Sequence, residues 1–122
     1  MIVDTGVLIE VLRGNEQTKA WLESRSRGPL RYSPVTRAEI RAGARPRERA
    51  AISALFAGMD ALVIDEGTAD LAGDQLARHA ASHGVQMGDA LIAASALEHG
   101  DELATFNARH FPGVKRLLRP DR

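Results

Sequence analysis

Asp4, Glu39, Asp89 and Asn107 stand where short apolar runs give way to helical patterns. Asp4 follows Ile2-Val3 directly. Glu39 falls in the first turn of the helical pattern after the Leu30–Ser33 run. Asp89 opens an almost wholly apolar stretch that ends at Glu98, and Asn107 lies just past Leu103-Ala104-Thr105. Carboxylates brought together repel one another, and burial raises the cost of their charge. A divalent cation relieves both penalties. Hard oxygen donors with no His or Cys among them suit Mg²⁺ or Mn²⁺ rather than Zn²⁺. Such an ion lowers the pKa of a bound water and steadies charge on a phosphate, so phosphodiester hydrolysis follows from this set better than other chemistry does.

Each residue also has a purely structural alternative. Asp4 and Asp89 can cap their helices or complement the helix dipole. Thr36-Arg37-Ala38-Glu39 fits a capping box, in which Thr and Glu satisfy backbone N–H groups of one another's turn. Asn107 can be a turn residue. Asp65 has the same setting, after a strand and before a helix, and reads as an N-cap. The case for a site rests on the conjunction and not on any one residue.

The elements that must position these residues alternate between strand and helix. Ile2-Val3 reads as a first strand. Val7, Leu8, Val11 and Leu12 have helical spacing, stopped near Gly14. A second helix is predicted from Asn15 to Ser26, with Trp21 and Leu22 inward. Leu30–Ser33 reads as a strand ended by Pro34. Helices follow over Thr36–Ala42, with Gly43 as stop signal, and over Arg47–Ala57. Ala61–Ile64 reads as a third strand and Glu66–Ser82 as a long helix closing at Gly84. The Asp89–Glu98 helix, apolar all round, belongs in the interior, and Gly100 caps it. Leu103–Thr105 is a fourth strand, and a short fifth is expected near Leu117-Leu118. This alternation predicts an α/β fold with a mostly parallel central sheet of short strands flanked by helices. In such sheets, sites gather beyond the C-terminal strand ends.

A chain of 122 residues suits one domain, and its 44% hydrophobic content supports a core without disulfides. The absence of cysteine removes thiolate nucleophiles and Cys-based zinc sites. No run is long enough to span a membrane, and the N-terminal residues do not read as a signal peptide, so a cytoplasmic protein is the simplest expectation. Net charge is zero, which excludes binding of nucleic acid by bulk charge alone. The basic residues nonetheless crowd two segments: Arg37, Arg41, Arg45, Arg47 and Arg49 in one, Arg109, Lys115, Arg116, Arg119 and Arg122 in the other.

Four blocks together resemble VapC-type PIN domains: Met1-Ile2-Val3-Asp4-Thr5; Ser33-Pro34-Val35-Thr36-Arg37-Ala38-Glu39-Ile40; Gly88-Asp89-Ala90-Leu91-Ile92-Ala93-Ala94; and Leu103 through Asn107 to Ala108-Arg109-His110-Phe111. Order and spacing agree across nearly the whole chain, and the third and fourth blocks are the most specific. The resemblance implies a PIN-domain fold and a Mg²⁺- or Mn²⁺-dependent endoribonuclease, the toxin of a toxin–antitoxin pair. It implies a homodimer inhibited by a VapB-type antitoxin, a basic side chain of which often reaches the acidic centre. It implies metal ligation by Asp4 and Asp89, with Glu39 as a further ligand or as orienter of the attacking water. The fourth position, often acidic in the family, is Asn107 here, which keeps an oxygen donor and loses a charge. One well-held metal is therefore expected. His110 stands where an Asp is common, where it either touches RNA or, the favoured reading, covers the site. Arg37, Arg41 and Arg109 are the candidates for RNA contact.

Other readings compete. Ile2-Val3-Asp4-Thr5-Gly6 is also similar to the active-site loop of aspartic proteases, but that fold is nearly all β and this chain is rich in helical patterns. A PIN-like module that binds RNA or protein without cutting is the alternative outside catalysis. A DNA-directed nuclease of the same fold is a further one, because hydrolysis by water needs no 2′-OH.

Overall fold

The computed structural model describes residues 1–122. Its elements run β1 (Ile2–Val3), α1 (Thr5–Leu12), α2 (Glu16–Arg25), β2 (Arg31–Tyr32), α3 (Pro34–Ala42), a 3₁₀ turn (Pro46–Glu48), α4 (Arg49–Ala57), β3 (Asp60–Ala61), α5 (Glu66–His83), α6 (Met87–His99), β4 (Leu103–Ala104), a second 3₁₀ turn (Ala108–His110) and β5 (Leu117–Leu118). The five strands form one sheet in the order β3-β2-β1-β4-β5. Every pairing is parallel, with Ile2 opposite both Arg31 and Leu103. The chain builds outward from β1 to β3, then returns to add β4 and β5 on β1's other side. The order therefore reverses between β1 and β4, where open parallel sheets hold their ligands.

Strand alternation sends neighbouring residues to opposite faces. Val3 and Ala104 join Val7, Leu8, Trp21, Tyr32 and Phe56 in the core beneath α1 to α4. Ile2 and Leu103 join Ile92, Ala93, Ala96 and Phe111 beneath α6. Outside α6 lies α5, and Ala72 and Val85 close on Ala90 and Ala94 of α6. With a helix against it on one side and the sheet on the other, α6 is apolar almost all round, as the sequence predicts: Ala90 and Ile92–Ala96 are buried. No helix is long and apolar enough to cross a membrane.

Several boundaries differ from the sequence expectation. Pro34 opens α3 where a strand end was expected, because a proline's missing N–H has no partner at the first helical position anyway. Ser33 is the N-cap, its hydroxyl accepting from Val35 N–H at 3.2 Å. Thr36 is thus no cap, Thr36-Arg37-Ala38-Glu39 is no capping box, and Glu39 falls in the second turn. The helix expected over Arg47–Ala57 starts at Arg49, behind the 3₁₀ turn. The third strand is Asp60–Ala61 and not Ala61–Ile64: pairing with Arg31 and Tyr32 sets its place, and Val63 is 73% exposed. The fourth is Leu103–Ala104, although Thr105 N–H still donates to Leu118 C=O at 2.9 Å. The last helix starts at Met87, so Asp89 is its third residue. The stops at Gly14, Gly84 and Gly100 hold, each with positive φ, where glycine is unstrained. Asp4-Thr5-Gly6 is a helix start on an all-parallel sheet, which removes the protease reading.

The core makes a direct prediction. Ile92 is 1% exposed between α5 and the sheet, whereas Leu97 of the same helix is 39% exposed. Ile92→Ala should lower stability by about 2–5 kcal/mol in urea unfolding, and Leu97→Ala by under about 1 kcal/mol. Similar losses for both would contradict the placement of α6.

Candidate active site

At the C-terminal ends of β1 and β4, Asp4 is 8% exposed. One carboxylate oxygen accepts from Thr5 N–H at 2.8 Å, which starts α1. The other accepts from the Thr105 hydroxyl at 2.8 Å, a bond between buried side chains 101 residues apart. Thr105 in turn accepts from Asn107 N–H at 2.9 Å. The hydroxyl thus ties the β1 carboxylate to the turn that carries Asn107.

Glu39 reaches the same place from α3. Thr5 Oγ1 donates to Glu39 Oε1 at 2.7 Å. That uses the one hydroxyl hydrogen of Thr5, so the fully buried Thr36, 3.0 Å away, is the donor of its pair with Thr5. Glu39 is consequently fixed by the residue after Asp4 and has no part in capping its own helix. Gly88 lets α6 come close: a Cβ there would lie 3.4 Å from Glu39 Oε2. The next residue is Asp89, whose carboxylate accepts from Gln86 N–H at 3.1 Å. For Asp89 the capping role and a place in the site therefore coexist. His110 Nδ1 lies 3.5 Å from Asp89 Oδ2 and 3.0 Å from the side-chain amide of Asn107, so His110 covers one side of the site.

Asp4, Glu39, Asp89 and Asn107 line one pocket of about 470 Å³. The structure thus brings together all four residues singled out by sequence. Arg37, Arg41 and Arg109 do not line it. Arg37 instead donates to the Tyr32 hydroxyl at 3.2 Å and lies over the Phe56 ring. The pocket also holds Glu10 and Arg13, which the sequence patterns did not single out, with Phe106 of the fourth block and Arg122 of the C-terminal basic segment. Glu10 lies 3.5 Å from Arg13 and 3.6 Å from Arg122. A hydrogen bond from Asn15, then these two guanidinium groups, hold the Glu10 carboxyl below its usual range against the opposing effect of burial.

Electrostatics separates Asp4 from an ordinary cap. Asp65 caps α5, accepting from Thr68 N–H at 3.0 Å, and its backbone and hydroxyl hydrogen bonds hold its pKa down. Asp4 also caps a helix, yet burial raises its pKa. The bonds from Thr105 and Thr5 oppose that rise, while the charges of Asp89 and Glu39 add to it. Neither Asp4 nor Glu39 forms an ion pair, and Asp89 has only His110. Three acids, none of them paired with a Lys or Arg, fit a divalent cation. No three Asp, Glu or His side chains form a ready metal cage. Mg²⁺ needs none, since it keeps several waters and is bound through one or two carboxylates plus phosphate oxygens.

Comparison with known proteins agrees with this architecture. The PIN domain family matches residues 1–117. The chain is 40% identical over 122 residues to Ribonuclease VapC10 of Mycobacterium tuberculosis (strain ATCC 25618 / H37Rv), covering 98% of this chain and 92% of that protein. It is 34% identical to Ribonuclease VapC19 of the same organism, covering 98% of each. Among solved structures, VapBC2 from Rickettsia felis, bound to a DNA fragment from their promoter, matches with a TM-score of 0.82 over 98% of both chains. Its identity is 16%, so that likeness is one of fold.

The raised pKa of Asp4 has a consequence for stability. An acid whose pKa is higher folded than unfolded favours the fold below the unfolded value, near 3.8, and that contribution is lost as pH rises through the folded value. At neutral pH without metal, ionised Asp4 therefore opposes folding. Asp4→Asn should raise the melting temperature in EDTA at pH 7, and the gap should narrow as pH falls toward 4. A variant less stable than the parent at pH 7 would show that the carboxylate is a net stabiliser.

Proposed function

This chain belongs to the VapC-type ribonucleases of the PIN-domain family, and from that premise we propose that it is a metal-dependent endoribonuclease, the toxin of a toxin–antitoxin pair. One observation supports the metal dependence above others: the buried carboxylate of Asp4 shares a pocket with Asp89 and Glu39, and the two arginines of that pocket pair with Glu10 and with none of these three. Asp4 and Asp89 would hold the cation. When bound, Mg²⁺ or Mn²⁺ supplies a water of lowered pKa and neutralises developing charge on the phosphate.

The chain's own residues do the remaining work. Thr105 holds Asp4 from behind, so the carboxylate does not turn away when the pocket fills. Thr5 occupies Glu39 Oε1, which leaves Oε2 to accept a hydrogen bond from the attacking water and orient it. Asn107 offers an amide oxygen in place of a carboxylate, without the further repulsion a fourth negative charge would bring. The uncharged fourth position supports a single tightly held ion.

An antitoxin of VapB type is the proposed partner, supported by the VapBC complexes among the structures that share this fold. A basic side chain of such a partner would balance the carboxylates as a metal does. The homodimer and the cytoplasmic location expected for the family belong to the same reading, with RNA as the substrate.

Cleavage of a mixed RNA substrate should require Mg²⁺ or Mn²⁺ and stop in EDTA. Asp4→Ala or Asp89→Asn should abolish both cleavage and the growth arrest caused by expression without the partner. Glu39→Gln should lose about 10²–10⁴-fold in rate at an unchanged melting temperature, because Ser33 caps α3. Asn107→Ala should lose only about tenfold to a hundredfold. Full cleavage in chelator, or by either aspartate variant, would overturn the mechanism.

A further inference from the structure

Besides the acids, the pocket is lined by residues of α1 and of the C-terminal tail. Arg13 and Arg122 both pair with Glu10, two guanidinium groups sharing one carboxylate side chain. Arg122 stacks over Phe106, its guanidinium carbon 4.5 Å from the ring centroid. The tail is fastened at two further points. The fully buried Thr18 hydroxyl donates to Asp121 C=O at 2.9 Å, and the Arg119 guanidinium donates to Phe106 C=O at 2.9 Å. Phe106 lies between Thr105, which holds Asp4, and Asn107. The arginine is thereby mounted on the strand end that carries the acidic centre.

A guanidinium stacked on an aromatic face still presents its N–H edge, in a geometry that matches phosphate oxygens, and the contact of Arg122 with Glu10, at 3.6 Å, engages only one of its nitrogens. Because its side chain is already held, little rotamer freedom remains to be lost on binding. The geometry points to a second binding element here: Arg122, with Arg13 beside it across Glu10, binds the phosphate of a nucleotide next to the one that is cut. This rests on the ribonuclease reading above and adds to it a subsite with its own residues. It also explains how a chain of zero net charge engages a polyanion: the positive charge is local and lines the same pocket as the acids. The acids take a phosphate only through their cation. The arginines take one directly and so fix the strand against the cutting residues.

The test is binding of a labelled single-stranded RNA of mixed sequence, in EDTA so that the strand is not cut by the proposed reaction, over a series of KCl concentrations. Removing one phosphate contact lowers the slope of log affinity against log salt by about 0.7. Arg122→Gln should show that loss together with a severalfold weaker affinity at low salt. In Mg²⁺ it should raise KM more than it lowers kcat. Arg122→Lys should restore the slope, because the charge returns, and Arg13→Gln should act in the same direction as Arg122→Gln. Parent-like slope and affinity in Arg122→Gln, with RNA still bound and cleaved by the parent, would overturn the subsite alone. A parent that neither binds nor cuts RNA would overturn the ribonuclease reading and the subsite with it.

Discussion

The hydrogen bond from the Thr105 hydroxyl to Asp4 joins β1 to β4 across the point where the sheet reverses its order. A carboxylate held there is nearly out of water, and the two hydrogen bonds it accepts do not cancel the cost of burying its charge, so its pKa stands above the usual range. Asp89 and Glu39 worsen its position. The fold tolerates this because every partner of Asp4 is fixed by something else. Thr5 begins α1, Thr105 is tied by its backbone N–H to β5, and Glu39 accepts from Thr5 while sitting on an α3 that Ser33 caps. The strain is electrostatic and local, and a bound cation would relieve it. Sites that bind ions commonly carry such unfavourable charge when empty, and stability at them is exchanged for function.

The contrast of Asp4 with Asp65 shows why local sequence does not separate a cap from a site. Both follow a strand, start a helix and accept from backbone N–H groups. They differ in what lies behind them. Asp65 follows the edge strand β3, at the sheet's rim, and its hydrogen bonds prevail. Asp4 follows the central strand, with neighbours brought in from α3, α6 and β4, and burial prevails. Strand order decides the matter, and strand order is a property of the whole chain.

Asp4, Glu39, Asp89 and Asn107 were legible because strand-to-helix junctions are visible in the hydropathy pattern and the family blocks fall upon them. The buried Asp89–Glu98 run and the glycine stops were legible for the same reason. Pro34 was not: it both ends strands and starts helices, and the neighbouring Ser33 hydroxyl tips the balance. Ala61–Ile64 misled because register with β2, more than apolarity, places an edge strand. Thr105 left a signal, since a hydroxyl closing an apolar strand must find a partner when buried. Arg13 left none, and neither the fourth block nor the basic C-terminal segment tells that Phe106 and Arg122 join it. They meet only because β4 lies beside β1 and the tail folds back over α1 and α2.

The central claim is that Asp4 and Asp89 form a cation site whose raised carboxyl pKa is part of its construction. Calorimetric titration of Mg²⁺ over a series of falling pH values, repeated in buffers of different ionisation enthalpy, measures ion and proton together, because a ligand must lose its proton to bind metal. The account predicts one bound Mg²⁺ per chain with a fraction of a proton released, and loss of both binding and release in Asp4→Asn. Equal Mg²⁺ affinity in Asp4→Asn and the parent would contradict it.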